Sequence, residues 1–200
     1  IAQRELSGSM KKQNYRVGGK LQLDLTPIEG LTLTAIVAPQ YSFYKGKDHK
    51  KRYEVYRITG DPIPGTFYSS TSLSESRNDN HSLTKQFYAN YKLQLKRHSI
   101  GLMAGYEDYS YKWEEEGASR TNFNLVNYPY LNLGPEDYQY NSGKAGHNAY
   151  RSFFGRIMYS WADRYILQAN IRSDGSSRFA DGHRWGTFPS VSAGWVISEE

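Results

Sequence analysis

The sequence predicts an all-β fold: an antiparallel up-and-down transmembrane β-barrel, here an incomplete section of about seven strands. Three observations predict it. Apolar and polar residues alternate with period two along most of the chain, as in Tyr165, Leu167, Ala169 and Ile171 against Gln168, Asn170 and Arg172. Aromatic residues make up 15% of a chain that is only 38% hydrophobic, with 18 tyrosines, so large amphipathic rings sit on a water-like average. The connections alternate short and long, the asymmetry of a barrel whose turns face one side of a membrane and whose loops face the other.

The strands follow in order. Tyr15, Val17, Gly19, Leu21, Leu23 and Leu25 share one parity, with Arg16, Lys20, Gln22 and Asp24 on the other. A turn at Pro27 to Gly30 leads to Leu31, Leu33, Ala35, Val37, Tyr41 and Phe43. Pro39 within that run predicts a bulge or a rim position, because proline has no N–H for the ladder. Residues 45 to 80 lose the pattern and read as a long loop. Leu83, Phe87, Ala89, Tyr91, Leu93 and Leu95 form a third strand, with Lys85 breaking its apolar face, and Lys96 to His98 a tight turn. Ile100, Leu102, Ala104 and Tyr106 then give way to Tyr109, Tyr111 and Trp113, a parity shift that predicts a β-bulge. Residues 114 to 147 read as a second long loop. Phe153 to Trp161, a turn at Ala162 to Arg164, the Tyr165 strand, a loop over 174 to 186, and a strand with Val191, Ala193, Trp195 and Ile197 complete the series. Tyr41, Phe43, Tyr109, Tyr111 and Trp113 are expected in a girdle toward the long loops, and Tyr159, Trp161, Tyr165 and Trp195 in one toward the short turns.

Composition excludes several classes. No apolar run approaches the ~18 to 20 residues of a membrane helix. With 25 Lys+Arg against 20 Asp+Glu the net charge is +5, too diffuse to indicate nucleic acid. There is no cysteine, hence no disulfide framework or thiolate metal site. The chain opens at Ile1 without a signal-like segment, which predicts a piece of a longer or processed protein. A soluble β-sandwich would alternate as well. Periodicity does not separate the two folds; strand length, ring placement and loop asymmetry favour the barrel.

The last third is more specific. Phe153 to Glu200 reads FFGRIMYSWADRYILQANIRSDGSSRFADGHRWGTFPSVSAGWVISEE. It resembles the SusC/RagA family of TonB-linked outer-membrane proteins of Bacteroidota in the strand FGRIMYSWADRYIL, the loop DGSSRF (Asp174, Gly175, Ser176, Ser177, Arg178, Phe179) and the segment RWGTFPSVSAGWVISEE that begins at Arg184 and Trp185. NYRVGGKLQLDLTPIEGLTL, from Asn14 to Leu33, is more loosely similar to an earlier hairpin. The resemblance implies a barrel of about 22 strands with a plugged lumen. Such proteins import glycans or peptides into the cell through the outer membrane, with energy from the TonB complex and a SusD-like surface lipoprotein over the mouth. Residues 1 to 200 then belong to the barrel, the plug and remaining strands lying outside them. No cofactor and no chemistry of its own are expected.

On this reading the short turns at 27–30, 96–98 and 162–164 face the periplasm and the loops face outward. The second parity faces the lumen, giving Arg16, Lys20, Lys92, Arg156, Gln168, Asn170 and Arg172 as lumen-facing or plug-contacting candidates, with Asp24 opposing the cations. The apolar parity faces outer-membrane lipid. Other patterns weigh less. Asp174 and Asp181 precede glycines, as turn chemistry alone explains, so no metal is assigned. Ser82 and Lys85 have Ser-x-x-Lys spacing but opposite parity, which separates nucleophile from base. The five histidines share no ligand spacing, and Glu114 to Glu116 read as a solvated run. The rings Tyr53, Tyr56, Phe67, Tyr68, Phe123, Tyr128, Tyr130, Tyr138 and Tyr140 in the two long loops suit stacking on an oligosaccharide, packing of the loops on themselves, or a partner. Two other functions compete: a soluble carbohydrate-binding β-module, and a β-rich hydrolase, the latter disfavoured because no two carboxylates converge.

Overall fold

The computed structural model describes residues 7–63 and 70–199; Phe67 and Tyr68 lie outside the described residues. Eight strands form: β1 (Gly8–Gly18), β2 (Leu21–Ile28), β3 (Leu31–Lys50), β4 (Ser72–Leu95), β5 (His98–Thr121), β6 (Gln139–Trp161), β7 (Tyr165–Ser176) and β8 (Trp185–Trp195). They make one antiparallel sheet in the order β1-β3-β4-β5-β6-β7-β8, with β2 also paired to β3. Among the described residues, no helix is long and apolar enough to cross a membrane.

Proline explains why one expected strand becomes two. The β2–β3 register sets Leu21 opposite Val37, and Gly19 N–H donates to the Pro39 carbonyl at 3.1 Å. Pro39 has no N–H to return the bond, so the ladder lapses at Gly19 and Lys20. β3 itself runs unbroken, and the irregularity expected at Pro39 falls on its partner. A second register shift, between Leu25 and Ile28, brackets Pro27.

Four strands outrun the expectation. β3, β4, β5 and β6 have 20, 24, 24 and 23 residues, where a bilayer crossing needs ~9 to 11. β3 and β4 therefore take 45–50 and 72–80 from the first expected loop, and the second, expected over 114–147, shrinks to 122–138 with two 3-10 turns, Leu131–Leu133 and Glu136–Tyr138. Residues 139–145 are exposed throughout. With water on both sides, nothing selects an apolar parity there, and the strand leaves no periodic signal. The third loop narrows to 177–184, because β7 continues to Ser176 and β8 begins at Trp185.

The bulge expected between Tyr106 and Tyr109 is absent. Gly101 lies against Met158 and Gly105 against Phe154, Tyr106 against Phe153 and Tyr109 against Tyr150, and Asp108 against Arg151. Each step up β5 is matched by one step down β6, so the register holds. Tyr109 and Tyr111 consequently fall on the face opposite Tyr106 and leave the girdle proposed for them.

The chain divides into two compact units: Ile1–Val17, Tyr41–Asn80 and Trp113–Gly146 form one; Gly18–Gln40, His81–Lys112 and His147–Glu200 form the other. The first has a small core, in which Leu73 and Phe123 are buried with Thr71 and His49. Asn122 N–H donates to the Thr71 carbonyl at 2.8 Å, and the Arg120 guanidinium donates to the Gly134 carbonyl at 2.7 Å. These bonds tie residues 122–138 down on the strands. Trp113 of this unit packs over Gly146, where a Cβ would come within 2.6 Å of the indole.

In the second unit, Ile36 is the buried apolar side chain among the described residues. Leu167, Ile171, Val191 and Trp195 are 50%, 54%, 73% and 55% exposed. A soluble sandwich would pack such residues against a second sheet. Among the described residues no second sheet covers them. The β6–β7 hairpin closes on Ala162 and Asp163, at φ 52° and 57°, the consecutive left-handed residues that a type I′ turn requires.

Candidate functional site

The register of β6, β7 and β8 sorts their side chains into two faces. On one lie, row by row, Arg151–Gly175–Trp185, Phe153–Ser173–Thr187, Gly155–Ile171–Pro189, Ile157–Ala169–Val191, Tyr159–Leu167–Ala193 and Trp161–Tyr165–Trp195. The other carries Ser152–Asp174–Gly186, Phe154–Arg172–Phe188, Arg156–Asn170–Ser190 and Met158–Gln168–Ser192. The first face is apolar between two aromatic rows. At the turn end Trp161 stacks on Tyr165 at 5.5 Å and Tyr165 on Trp195 at 6.4 Å, while His98 Nδ1 and the Tyr159 hydroxyl are hydrogen-bonded at 2.7 Å. At the other end Tyr106 meets Phe153 at 5.2 Å and Phe153 meets Trp185 at 5.8 Å. Along β7 the two rows are eight to ten residues apart, or about 26 to 33 Å of strand. Tilted as barrel strands are, that matches an apolar band of about 25 Å between girdles. The row at the turn end is the one the sequence predicts. The opposite row is built from other rings than those expected.

The second face centres on Arg172. Its Nε donates to Asp174 Oδ1 at 2.7 Å, its Nη2 to Ser152 Oγ at 3.0 Å, and Nη2 also lies 3.6 Å from Glu107 Oε1. Gln86 Nε2 donates to the other Glu107 oxygen at 2.6 Å. The guanidinium lies 5.6 Å from the Phe154 ring centre. Each of these partly exposed ion pairs contributes about 0.2 to 1 kcal/mol. Together they hold a long cation in one orientation, as fork geometry permits.

Four of the predicted candidates share this face: Arg156, Gln168, Asn170 and Arg172. Gln168 donates to Asn170 at 3.3 Å and Asn170 to Ser190 at 3.2 Å. Lys92 is exposed on β4, its backbone N–H on the Gly30 carbonyl. Lys20 sits in the break between β1 and β2, and Arg16 on β1 belongs to the other unit. Asp24 is held by Thr34 and Gln22, at 2.6 and 2.8 Å, rather than by a cation. Glu107 escapes the sequence reading. An uninterrupted parity from Ile100 would place it on the polar face; the supposed bulge hides it.

The DGSSRF motif is only half a loop, because Asp174, Gly175 and Ser176 belong to β7. Gly175 is buried beneath Trp185, where a Cβ would meet the indole at 2.8 Å. Ser177 Oγ accepts from Ala149 N–H at 2.8 Å, and Arg178 donates to Asn148 at 3.1 Å. Phe179 is exposed, and its carbonyl accepts from Arg184 at 3.1 Å. Asp174 and Asp181 each take an arginine, and no cluster of three or more His, Asp or Glu occurs among the described residues.

In the first unit, Lys47 bridges Glu75 at 2.8 Å and lies 5.2 Å from the Tyr130 ring centre. Phe123 is buried, whereas Tyr56, Tyr128, Tyr130, Tyr138 and Tyr140 are exposed. Tyr56 donates to Glu54 at 2.8 Å, and that carboxylate raises its pKa. Burial, with Lys51 and Lys47 adding to it, lowers the pKa of His49.

Comparison with known proteins agrees with this geometry. The family described as "TonB dependent receptor-like, beta-barrel" matches residues 3–200. TonB-dependent receptor SusC of Bacteroides thetaiotaomicron is 34% identical over 124 residues, 60% of this chain and 12% of that protein. TonB-dependent receptor P39 of Formosa agariphila is 30% identical over 148 residues, 72% of this chain and 13% of that protein. The RagAB peptide importer in its "open-open" state superposes with a TM-score of 0.80 at 22% identity, over 94% of this chain and 20% of that one; the likeness is one of fold. The chain thus spans about an eighth of the length of the two receptors. Two segregated faces, two aromatic rows and a match along nearly the whole chain lead to one conclusion: the chain belongs to the TonB-dependent receptor-like β-barrel family of the outer membrane.

Proposed function

We propose that this chain is a wall section of a TonB-dependent outer-membrane importer of glycans or peptides. Its apolar face meets lipid and its polar face lines the bore. The observation that carries the reading is the pairing of exposed Leu167, Ile171 and Val191 on one face with Arg156, Asn170 and Arg172 on the other, in an unbroken register. No reaction is assigned to it: the wall positions, and the import step is driven by the TonB complex through a plug outside these residues. Similarity to SusC and the fold shared with the RagAB peptide importer support the substrate classes, and a SusD-like lipoprotein is the partner at the outer mouth. The short turns at 27–30, 96–98 and 162–164 face the periplasm and the loop 177–184 faces outward. Arg172, with Arg156, Gln168 and Asn170, contacts plug or passing solute. Arg16, Lys20 and Lys92 are the other bore-facing candidates.

Cysteine labelling of the full-length protein in cells tests the reading. Asn170→Cys and Ser192→Cys should react with a membrane-impermeant maleimide, and Leu167→Cys and Val191→Cys should not. Equal labelling of the two pairs would overturn it. Arg172→Glu should then lower uptake while leaving the amount of protein in the outer membrane unchanged.

A further inference from the structure

We infer that the apolar face carries a defined binding site for one phosphate-bearing membrane lipid, with its headgroup at Arg151 and Arg184 and an acyl chain in a groove over Gly155. The inference rests on the reading that this face meets lipid.

The headgroup end is a depression of about 270 Å³ lined by Arg151, Arg184, Trp185, Asp108 and Ser177. Its position is set by register. Arg151 and Trp185 flank Gly175 on the apolar face, one row beyond Phe153, where the Tyr106–Phe153–Trp185 ring row ends the apolar band. Tryptophan at such a boundary lies at headgroup level. Each guanidinium group has one carboxylate partner, Asp108 for Arg151 and Asp181 for Arg184, so the local charge balances and a phosphate is held by the donors these pairs leave over. Arg151 uses Nε on Asp108, at 3.3 Å. Arg184 uses Nε on the Phe179 carbonyl and Nη2 on Asp181, at 3.1 and 2.8 Å. These bonds orient both groups and leave terminal nitrogens for a ligand, and guanidinium donors match phosphate oxygens. Both side chains are about half exposed, at 59% and 48%.

The acyl end is a separate observation. A groove of about 360 Å³ is floored by Ala104, Gly155 and Ala169 and walled by Leu102, Ile157 and Ile171. Arg151 and Gly155 lie on the same face of β6, about 13 Å apart along the strand. A chain hanging from a phosphate at Arg151 enters this groove. Basic pockets beside membrane-spanning segments recognise lipid headgroups by the same electrostatics.

The test uses the full-length transporter in mild detergent, delipidated and then titrated with defined lipids by native mass spectrometry. The probes are a phosphate-bearing diacyl lipid, diacylglycerol with the same chains, and inorganic phosphate. Wild type should retain the phosphate lipid at least tenfold better than diacylglycerol. Arg151→Ala with Arg184→Ala should erase that preference, while Gly155→Leu should weaken both lipids. Ser192→Ala, on the other face, should change neither. Equal retention of the two lipids by wild type, no effect of the arginine pair, or binding of inorganic phosphate as tight as that of the lipid would each overturn the site. Cysteine labelling reads separately whether this face meets lipid at all, so a failed lipid site is distinguishable from a failed barrel reading.

Discussion

Phe154 lays its ring over Gly105: a Cβ added at Gly105 would come within 2.5 Å of two ring carbons, and within 2.7 Å of Tyr88. The Arg172 guanidinium lies 5.6 Å from the centre of the same ring. An absent side chain on β5 thus sets where a cation stands on β7.

Replacing Gly105 by valine should therefore displace Phe154 and release Arg172. Overpacking of this kind costs about 1 to 3 kcal/mol. In the full-length protein the temperature of loss of the compact, heat-resistant band on unheated gels should fall, and uptake should drop toward that of Arg172→Ala. Uptake and stability equal to wild type would show that the ring does not position the arginine.

The two faces should respond unequally to a new charge. Ala169 and Asn170 are neighbours in sequence but lie on opposite faces. Ala169→Arg places a cation midway along the apolar band, at about 2 to 4 kcal/mol. Asn170→Arg adds one to a polar wall and should fall within about 0.5 kcal/mol of wild type, as exposed substitutions do. Refolding equilibria in lipid vesicles would measure both.

The β6–β7 turn should tolerate improvement. Ala162 and Asp163 hold positive φ without being glycine or asparagine, and left-handed backbone costs an ordinary residue roughly 1 to 2 kcal/mol. Ala162→Asn with Asp163→Gly supplies the favoured type I′ pair. It should raise stability by about 1 kcal/mol with uptake unchanged.

His49 should make the first unit sensitive to acid. Burial and the neighbouring Lys51 and Lys47 lower its folded-state pKa, against Asp48 and a hydrogen bond to the backbone of Val126, which raise it. The unfolded chain titrates near 6.5. Below that value the unfolded state binds the extra proton first, so the stabilisation present above pH ~6.5 is lost as pH falls through the lowered folded value. Protection factors across residues 122–138, which remove the intrinsic pH dependence of amide exchange, should be lower at pH 5 than at pH 7.5, and His49→Gln should remove most of the difference.

How much of the fold is legible in the sequence follows the solvent. Tyr165 to Arg172 can be read directly, because one face is apolar and the other wet, and a period of two survives in the sequence. The same holds for Leu31 to Val37 and for Ile157 against Val191. Residues 139–145 cannot be read, since both faces are exposed and any polar residue serves on either. Glu107 is lost for a related reason. Tyr109 and Tyr111 look like a continuation of the apolar row, but they are rings on the polar face, and only a partner across the ladder, Tyr150 against Tyr109, reveals it. The Arg172 cluster draws on β4, β5, β6 and β7, and no local pattern could assemble it. The family resemblance carries the fold; the contacts of Arg172 come from pairing.

The one-for-one ladder between β6 and β7 restricts how such a protein can change length. Deleting a single residue between Phe153 and Trp161 would rotate Arg156 outward and Ile157 inward for the rest of the strand. Deleting two would leave each side chain on its own side and merely lower that stave by about 6.6 Å. Insertions and deletions inside these strands are thus tolerated in even numbers, and odd ones can settle only in the turns and loops. Drift in the height of this wall is quantised in residue pairs.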